Sequence, residues 1–385
     1  MKPLGIYIHI PFCIRRCPYC GFYSNACDGA DYIEEIKTYF DMLKRELEFR
    51  KRNMGSSYYV DSIYFGGGTP SLAEPSLIHD MIEDVAAQFK VSDDCEVSME
   101  ANPGTVDKSR LEAYRDAGVN RLSLGVQSLD DGVLRTLGRI HDAKAARRAF
   151  DDARAAGFDN VSIDLMFGVP GQTEDIWEET VSETVSMLPE HVSFYSLQIE
   201  EETKFYNDYK MGDMVPVTDE EDRRMYHAAI QILHEHGCEQ YEISNAAFPG
   251  KECRHNLKYW TFCDYLGIGA SASSFTDGVR RTYPGEGYSV FACTGFPKDM
   301  LAENHVNSDF DNAADYMITG LRLNKGIDMA DFRKRFGRSV WDMFPEARDE
   351  LSGLLDSGDL VEQNDRLYIT EKGFDISNRI MTCFV

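Results

Sequence analysis

At 385 residues the chain can bury a large core and hold two domains. Its 40 basic and 65 acidic residues leave a net charge of −25, which argues against a phosphate backbone as main partner. No apolar run approaches the ~20 residues a membrane helix requires. The opening MKPLGIYIHIPFC lacks a signal-peptide pattern, and ten cysteines without one point to reduced thiols and a cytoplasmic location.

Residues 5–10 (GIYIHI) alternate as a strand does, and Pro11 stops it. Cys13, Cys17 and Cys20 follow in a C-x3-C-x2-C spacing. Three thiolates so spaced can hold three irons of an iron–sulfur cube and leave the fourth open to a non-protein ligand. Structural zinc would want a fourth ligand; the nearest thiol is Cys27, with no histidine between. A disulfide framework is at odds with the reduced thiols inferred above.

Next, residues 31–52 carry Tyr32, Ile36, Tyr39, Phe40, Leu43 and Leu47 at helical spacing. A strand over 60–65 runs into Gly66-Gly67-Gly68-Thr69-Pro70. Helix 77–89, strand 95–100, helix 111–117 and strand 121–126 follow, the last ending in Gln127-Ser128. Helix 143–156, strand 161–166, helix 177–188 and strand 192–199 complete the pattern. Six strands alternating with helices predict an α/β fold, a parallel (β/α)6 array curved into a partial TIM-like barrel. Chemistry in such arrays sits at the C-terminal strand ends. The cysteines, the triple glycine, Glu100, Gln127, Asp164 and Gln198 all fall there. Singly, the glycines could form a tight turn, the acids could cap helices and Gln127 could cap a strand. Around one mouth they make a ligand cradle.

Beyond the array, 206–211 and 220–236 read as helices, the second carrying His227, His234 and His236 on its surface face, and 238–244 reads as a strand. Then come Arg254-His255-Asn256-Leu257-Lys258-Tyr259-Trp260 and a Gly/Ser-rich stretch, 267–274. The barrel unit is expected to span 1–276, with 277–300 as a Gly- and Pro-containing connector. Residues 301–385 read as helices 313–323, 329–336 and 345–357, a hairpin of strands 360–362 and 366–370, and a last helix, 371–381. That order is winged-helix-like. With 10 basic against 16 acidic residues, a net of −6, this unit suits protein contact or substrate covering, not DNA.

Cys13-x3-Cys17-x2-Cys20 after one strand and Gly66-Gly-Gly-Thr-Pro70 after the next resemble the radical S-adenosylmethionine (SAM) superfamily. Gly125-Val-Gln-Ser128, Leu137-Gly-Arg-Ile-His141, 164–172 (DLMFGVPGQ) and Tyr241-Glu-Ile-Ser-Asn245 resemble its coproporphyrinogen oxidase-like branch along essentially the whole chain. The oxygen-independent coproporphyrinogen III oxidases carry a further cysteine two residues past the third; here that position is Phe22. They are also expected to carry an N-terminal extension, whereas twelve residues precede Cys13 here. His255-Asn256-x-x-Tyr259-Trp260 resembles the H-N-x-x-Y-W signature of the HemW-type heme chaperones.

The resemblance implies a [4Fe–4S] cluster on Cys13, Cys17 and Cys20, with SAM on the open iron. Tyr7 and Tyr19 would pack against SAM, Gly67, Gly68 and Thr69 would take its methionine end, and Glu100, Gln127, Arg139, Asp164 and Gln198 would supply polar contacts. Ala270 would lie near the adenine. His255 is the candidate heme ligand, the alternative being a loop packed against the barrel mouth; Tyr259 and Trp260 could stack on a porphyrin or fill core. No catalytic side chain is singled out. A reduced cluster of this kind passes one electron to SAM, giving methionine and a 5′-deoxyadenosyl radical. The function implied is a heme chaperone binding cluster, SAM and heme and delivering heme to acceptors, respiratory hemoproteins among them. An electron donor would serve the cluster, and a membrane surface would be met only through the acceptor. The alternatives are coproporphyrinogen III oxidation and, against the acidic charge, a nucleic-acid-modifying radical SAM enzyme.

Overall fold

The computed structural model describes residues 1–27, 31–54 and 58–385. Alternation sets its core. In β1 (Lys2–Ile10), Leu4, Ile6, Ile8 and Ile10 are fully buried against helices, so Tyr7 and His9 point the other way. The same period of two runs through β2 (Tyr58–Gly67), β3 (Lys90–Ala101), β4 (Arg121–Gln127), β5 (Val161–Phe167) and β6 (His191–Ser196). In β4, Leu122, Leu124 and Val126 are buried outward, while Arg121, Ser123, Gly125 and Gln127 share the inner face.

These six strands pair in sequence order, all parallel, β1 to β6. The registers set Tyr7 beside Tyr64, Glu100 beside Ser123 and Asp164 beside Ser193. The barrel interior is therefore polar where it faces the strand ends. The covering helices meet expectation: α1 (Tyr32–Asn53) buries Ile36, Tyr39, Phe40, Leu43 and Leu47, and α2 (Ala143–Ala155) buries Ala146, Ala149, Phe150 and Ala153. Helix N-termini are capped by Asp107, Asp130, Asp142 and Thr173, which leaves Glu100 and Asp164 free of that duty.

The sheet is wider than six strands. Two short strands, β7 (Glu239–Glu242) and β8 (Asn245–Ala247), extend it antiparallel beyond β6. On the other edge β9 (Tyr265–Ile268) adds a seventh parallel strand against β1, in the stretch where only glycine and serine were conspicuous. β10 (Ser273–Thr276), β11 (Val279–Thr282) and β12 (Glu303–Val306) continue it antiparallel, giving the order β12-β11-β10-β9-β1-β2-β3-β4-β5-β6-β8-β7. Residues 277–300 are thus no plain connector: they hold β11 and the helix Tyr288–Cys293. The 254–260 segment, for which a packed loop was the alternative to a heme-ligating role, is a helix, α3 (Arg254–Trp260).

The C-terminal unit packs helices Asp309–Gly320, Met329–Phe336 and Arg348–Ser357 beside a three-stranded sheet of Ile327–Asp328, Leu360–Gln363 and Arg366–Ile369. It meets the barrel through its 320–324 turn. There Arg322 reaches the fully buried Glu242 at 3.1 Å and lies over the Trp260 ring at 4.3 Å, and Asn324 donates to the Gln240 carbonyl at 2.8 Å. Among the described residues, no helix is long and apolar enough to cross a membrane.

Candidate functional site

The loop after β1 is tied down on several sides. Phe12–Cys13 pairs with Asn25–Ala26, the Cys27 amide donates to the Cys13 carbonyl at 2.8 Å, and the Cys20 amide donates to the Cys17 carbonyl at 3.1 Å. From across the barrel mouth the Phe205 amide donates to Pro18 at 3.0 Å. The guanidinium of Arg15 bonds the Gly138 carbonyl, and that of Arg16 bonds the Cys20 carbonyl at 3.3 Å. Cys13, Cys17 and Cys20 are free thiols on the wall of a cavity of about 600 Å³.

That cavity gathers twelve of the fifteen residues singled out from sequence: the three cysteines, Tyr19, Gly67, Gly68, Thr69, Glu100, Gln127, Arg139, Asp164 and Gln198. The glycines are there for space. A Cβ on Gly68 would lie 2.8 Å from the Phe12 carbonyl oxygen and 3.1 Å from Cys13 Sγ; Gly67 has φ +117° and backs onto the His9 ring. Gln127 also takes a left-handed backbone, φ +68°, a costly state for a side-chain-bearing residue and one that recurs at ligand sites.

Two donors reach the sulfurs. The Thr69 hydroxyl lies 3.5 Å from Cys13 Sγ, and Arg139 lies 3.6 Å from Cys17 Sγ and 3.5 Å from the Tyr19 hydroxyl. Burial pushes the Cys20 thiol up, and the neighbouring Cys17 and Cys13 add to the shift. Holding it as a thiolate therefore calls for positive charge, which irons would supply. Among the described residues no three His, Cys, Asp or Glu side chains converge as one metal ion requires.

Deeper in, Glu100 accepts from Tyr64 at 3.0 Å and from the Gly67 amide at 3.1 Å. Burial and the nearby Asp164 push its carboxyl up to about 7. Asp164 is raised too, by burial, although Ser123 donates to it at 2.9 Å and Ser162 at 3.1 Å. Such a pair of half-buried acids is poised to receive a cation.

Three expected residues lie elsewhere. Tyr7 sits in the barrel interior, its hydroxyl 3.1 Å from His9 Nδ1 and its ring stacked on Tyr64. Ala270 is buried against α1, its amide donating to the Tyr39 hydroxyl at 2.9 Å. His255 is 0% exposed: Nδ1 is 3.0 Å from the Ser62 hydroxyl and Nε2 is 2.8 Å from the Tyr259 hydroxyl. Burial, then the charges of Lys258 and Arg121, hold its imidazole down to about 3, so it is neutral. In this conformation neither ring nitrogen is open to an iron. The physical reason is α3, which plugs the barrel interior. The Arg254 and His255 amides, at its first turn, donate to Glu96 at 3.0 and 3.1 Å, and Lys258 pairs with Asp61 at 2.5 Å. Asn256, from the same signature, turns toward the cavity.

Asn102 and Arg121 also line the cavity but were missed from sequence. Asn102 donates to Thr69 Oγ1 at 2.9 Å and accepts from Arg139, which also donates to the Gly125 carbonyl at 2.7 Å. Arg121 is buried beneath the acids. Its signal was available, because it starts the inward row of Arg121, Ser123 and Gln127; Asn102 stands two residues past Glu100 and had no such pattern.

Residues 7–183 match the family model described as the radical SAM superfamily, and 310–376 match the HemN C-terminal domain. Among curated proteins, the chain is 35% identical to the heme chaperone HemW of Bacillus subtilis, over 98% of each chain. It is 33% identical to that of Escherichia coli, over 100% of this chain and 99% of the relative. Its fold matches a solved structure of the E. coli coproporphyrinogen III oxidase HemN, a radical SAM enzyme, with TM-score 0.86 at 24% identity, covering 100% of this chain and 90% of that one.

Proposed function

The chain belongs to the HemW family of heme chaperones within the radical SAM superfamily, and on that premise we propose that it binds heme and passes it to acceptor hemoproteins. The observation that carries this is likeness to those chaperones along the whole chain, joined to Phe22 where the oxidases would place a further cysteine. The likeness to the solved oxidase bears on the fold alone.

In this proposal Cys13, Cys17 and Cys20 hold a [4Fe–4S] cluster and SAM occupies the cavity beside it. A reduced cluster supplies one electron to SAM when both are bound. The chain's own residues do the rest. Gly67 and Gly68 let the backbone approach the methionine end. Glu100 and Asp164 answer the sulfonium, Gln127 and Gln198 offer amide contacts, and Arg139 faces the carboxylate while holding Tyr19, Asn102 and the sulfur of Cys17 in place. Thr69 orients Cys13. The buried Ser62–His255–Tyr259 chain and the Glu96-capped α3 close the barrel floor.

The test is transfer. Cluster-reconstituted protein loaded with ferric heme under anaerobic conditions is mixed with a heme-free respiratory hemoprotein. Appearance of the acceptor's own Soret band, faster than from free heme, is expected. Heme that never binds, or that stays bound, sinks the proposal.

A further inference from the structure

The outer rim of the cavity differs in character from its interior. Phe22 lines it while 70% exposed; Tyr195, 40% exposed, stands below it on the cavity wall, its hydroxyl turned in toward Ser193 and Asp164. Leaving such rings in water forgoes their burial, so their place at a cavity calls for an occupant. Ile14, on the same loop, is 48% exposed. Between these lie Arg15 and Arg16, both exposed and both on the rim. Each gives an N–H to a backbone carbonyl, of Gly138 and of Cys20, and keeps the rest of its donor fork for a ligand. Two exposed carboxylates stand near them, Glu200 on the rim and Glu202 in the adjoining groove, with Lys204 in that groove as a third cation.

A ligand suited to this rim is flat, largely apolar and carries two neighbouring carboxylates. On a chain of net charge −25 such a dianion is repelled almost everywhere, so a local pair of arginines selects where it settles. We propose that heme docks across the mouth of the cavity, its macrocycle on Phe22 and Tyr195 and its two propionates on Arg15 and Arg16. This rests on the chaperone reading and gives it a place. It sets heme beside the cluster loop and not at His255, whose nitrogens are engaged in the barrel interior. It also gives Phe22 a role: where the related oxidases are expected to carry a thiol, this chain presents a ring.

The experiment is titration of the full-length, cluster-reconstituted protein with ferric heme, followed at the Soret band, and in parallel with heme dimethyl ester, which lacks the propionate charges. For Arg15→Ala/Arg16→Ala and for Phe22→Ala, heme affinity is expected to fall about tenfold or more. Arg15→Lys/Arg16→Lys, which keeps the charge and loses the fork, should bind more weakly than the wild type and more tightly than the double alanine variant. The dimethyl ester should bind the wild type and the double alanine variant alike. Cluster absorbance and circular dichroism of each variant establish that the loop still folds. Alanine variants that retain cluster and fold but bind heme within about twofold of the wild type would overturn the site. A wild-type protein that binds no heme at all would instead remove the chaperone reading beneath it.

Discussion

Glu100 offers the sharpest quantitative test of the cavity as a site for a cationic ligand. Its carboxyl is half-buried, faces Asp164 and Arg121, and accepts from Tyr64 and Gly67; desolvation and Asp164 raise it from 4.5 to about 7. The sign follows directly. A sulfonium favours the ionised acid, so binding must first remove its proton at any pH below 7, and affinity must rise with pH through that value. With a pKa of about 7, roughly a tenth of the free protein is ionised at pH 6 and nine tenths at pH 8. Affinity for SAM should therefore strengthen about tenfold over that interval, or about 1.4 kcal/mol. Isothermal titration at pH 6, 7 and 8 reads this, and buffers of different ionisation enthalpy read about half a proton released per SAM at pH 7. Glu100→Gln removes the titration while keeping hydrogen-bonding capacity. Since SAM's own titration is common to both proteins, the difference between their profiles isolates Glu100. Parallel profiles for wild type and Glu100→Gln would refute the reasoning.

Three further outcomes are expected. Gly68→Ala puts a methyl 2.8 Å from the Phe12 carbonyl oxygen and 3.1 Å from Cys13 Sγ, so reconstituted protein should lose most of its visible cluster absorbance while its circular dichroism is kept; full absorbance would contradict the packing. Arg322→Ala leaves Glu242 fully buried without its cation and should cost about 3 kcal/mol, read as a lower urea midpoint. His255→Ala deletes a buried ring and its bonds to Ser62 and Tyr259, and should cost about 2–3 kcal/mol in the same assay; an unchanged midpoint would show that α3 is not held through it.

The barrel was legible because its strands carry their own pattern. Apolar residues at 4, 6, 8 and 10, or at 122, 124 and 126, state which face meets the helices, and polar residues bunch where each strand ends. The cavity followed from those ends, cysteines included. What sequence left unread depends on distant partners. The Tyr265–Ile268 strand is four residues long and is a strand because β1 lies beside it. Glu303–Val306 is exposed along its whole length and shows no apolar alternation to read. The 254–260 segment is helical with Glu96 at its N-terminus, more than 150 residues earlier in the chain. That same contact draws His255 inward, which no local spacing announces. Ala270 and Tyr7 lie outside the cavity for a similar reason, each tied to its own partner, Tyr39 or His9.

The central claim, a radical SAM fold put to heme handling, is tested most directly by mass analysis of one anaerobic incubation. Reconstituted protein, SAM and reductant are mixed with either heme or coproporphyrinogen III. Heme is expected to be recovered intact and protein-bound, and coproporphyrinogen unchanged in mass. Loss of carbon dioxide from the coproporphyrinogen propionates, with 5′-deoxyadenosine formed in step, would contradict it.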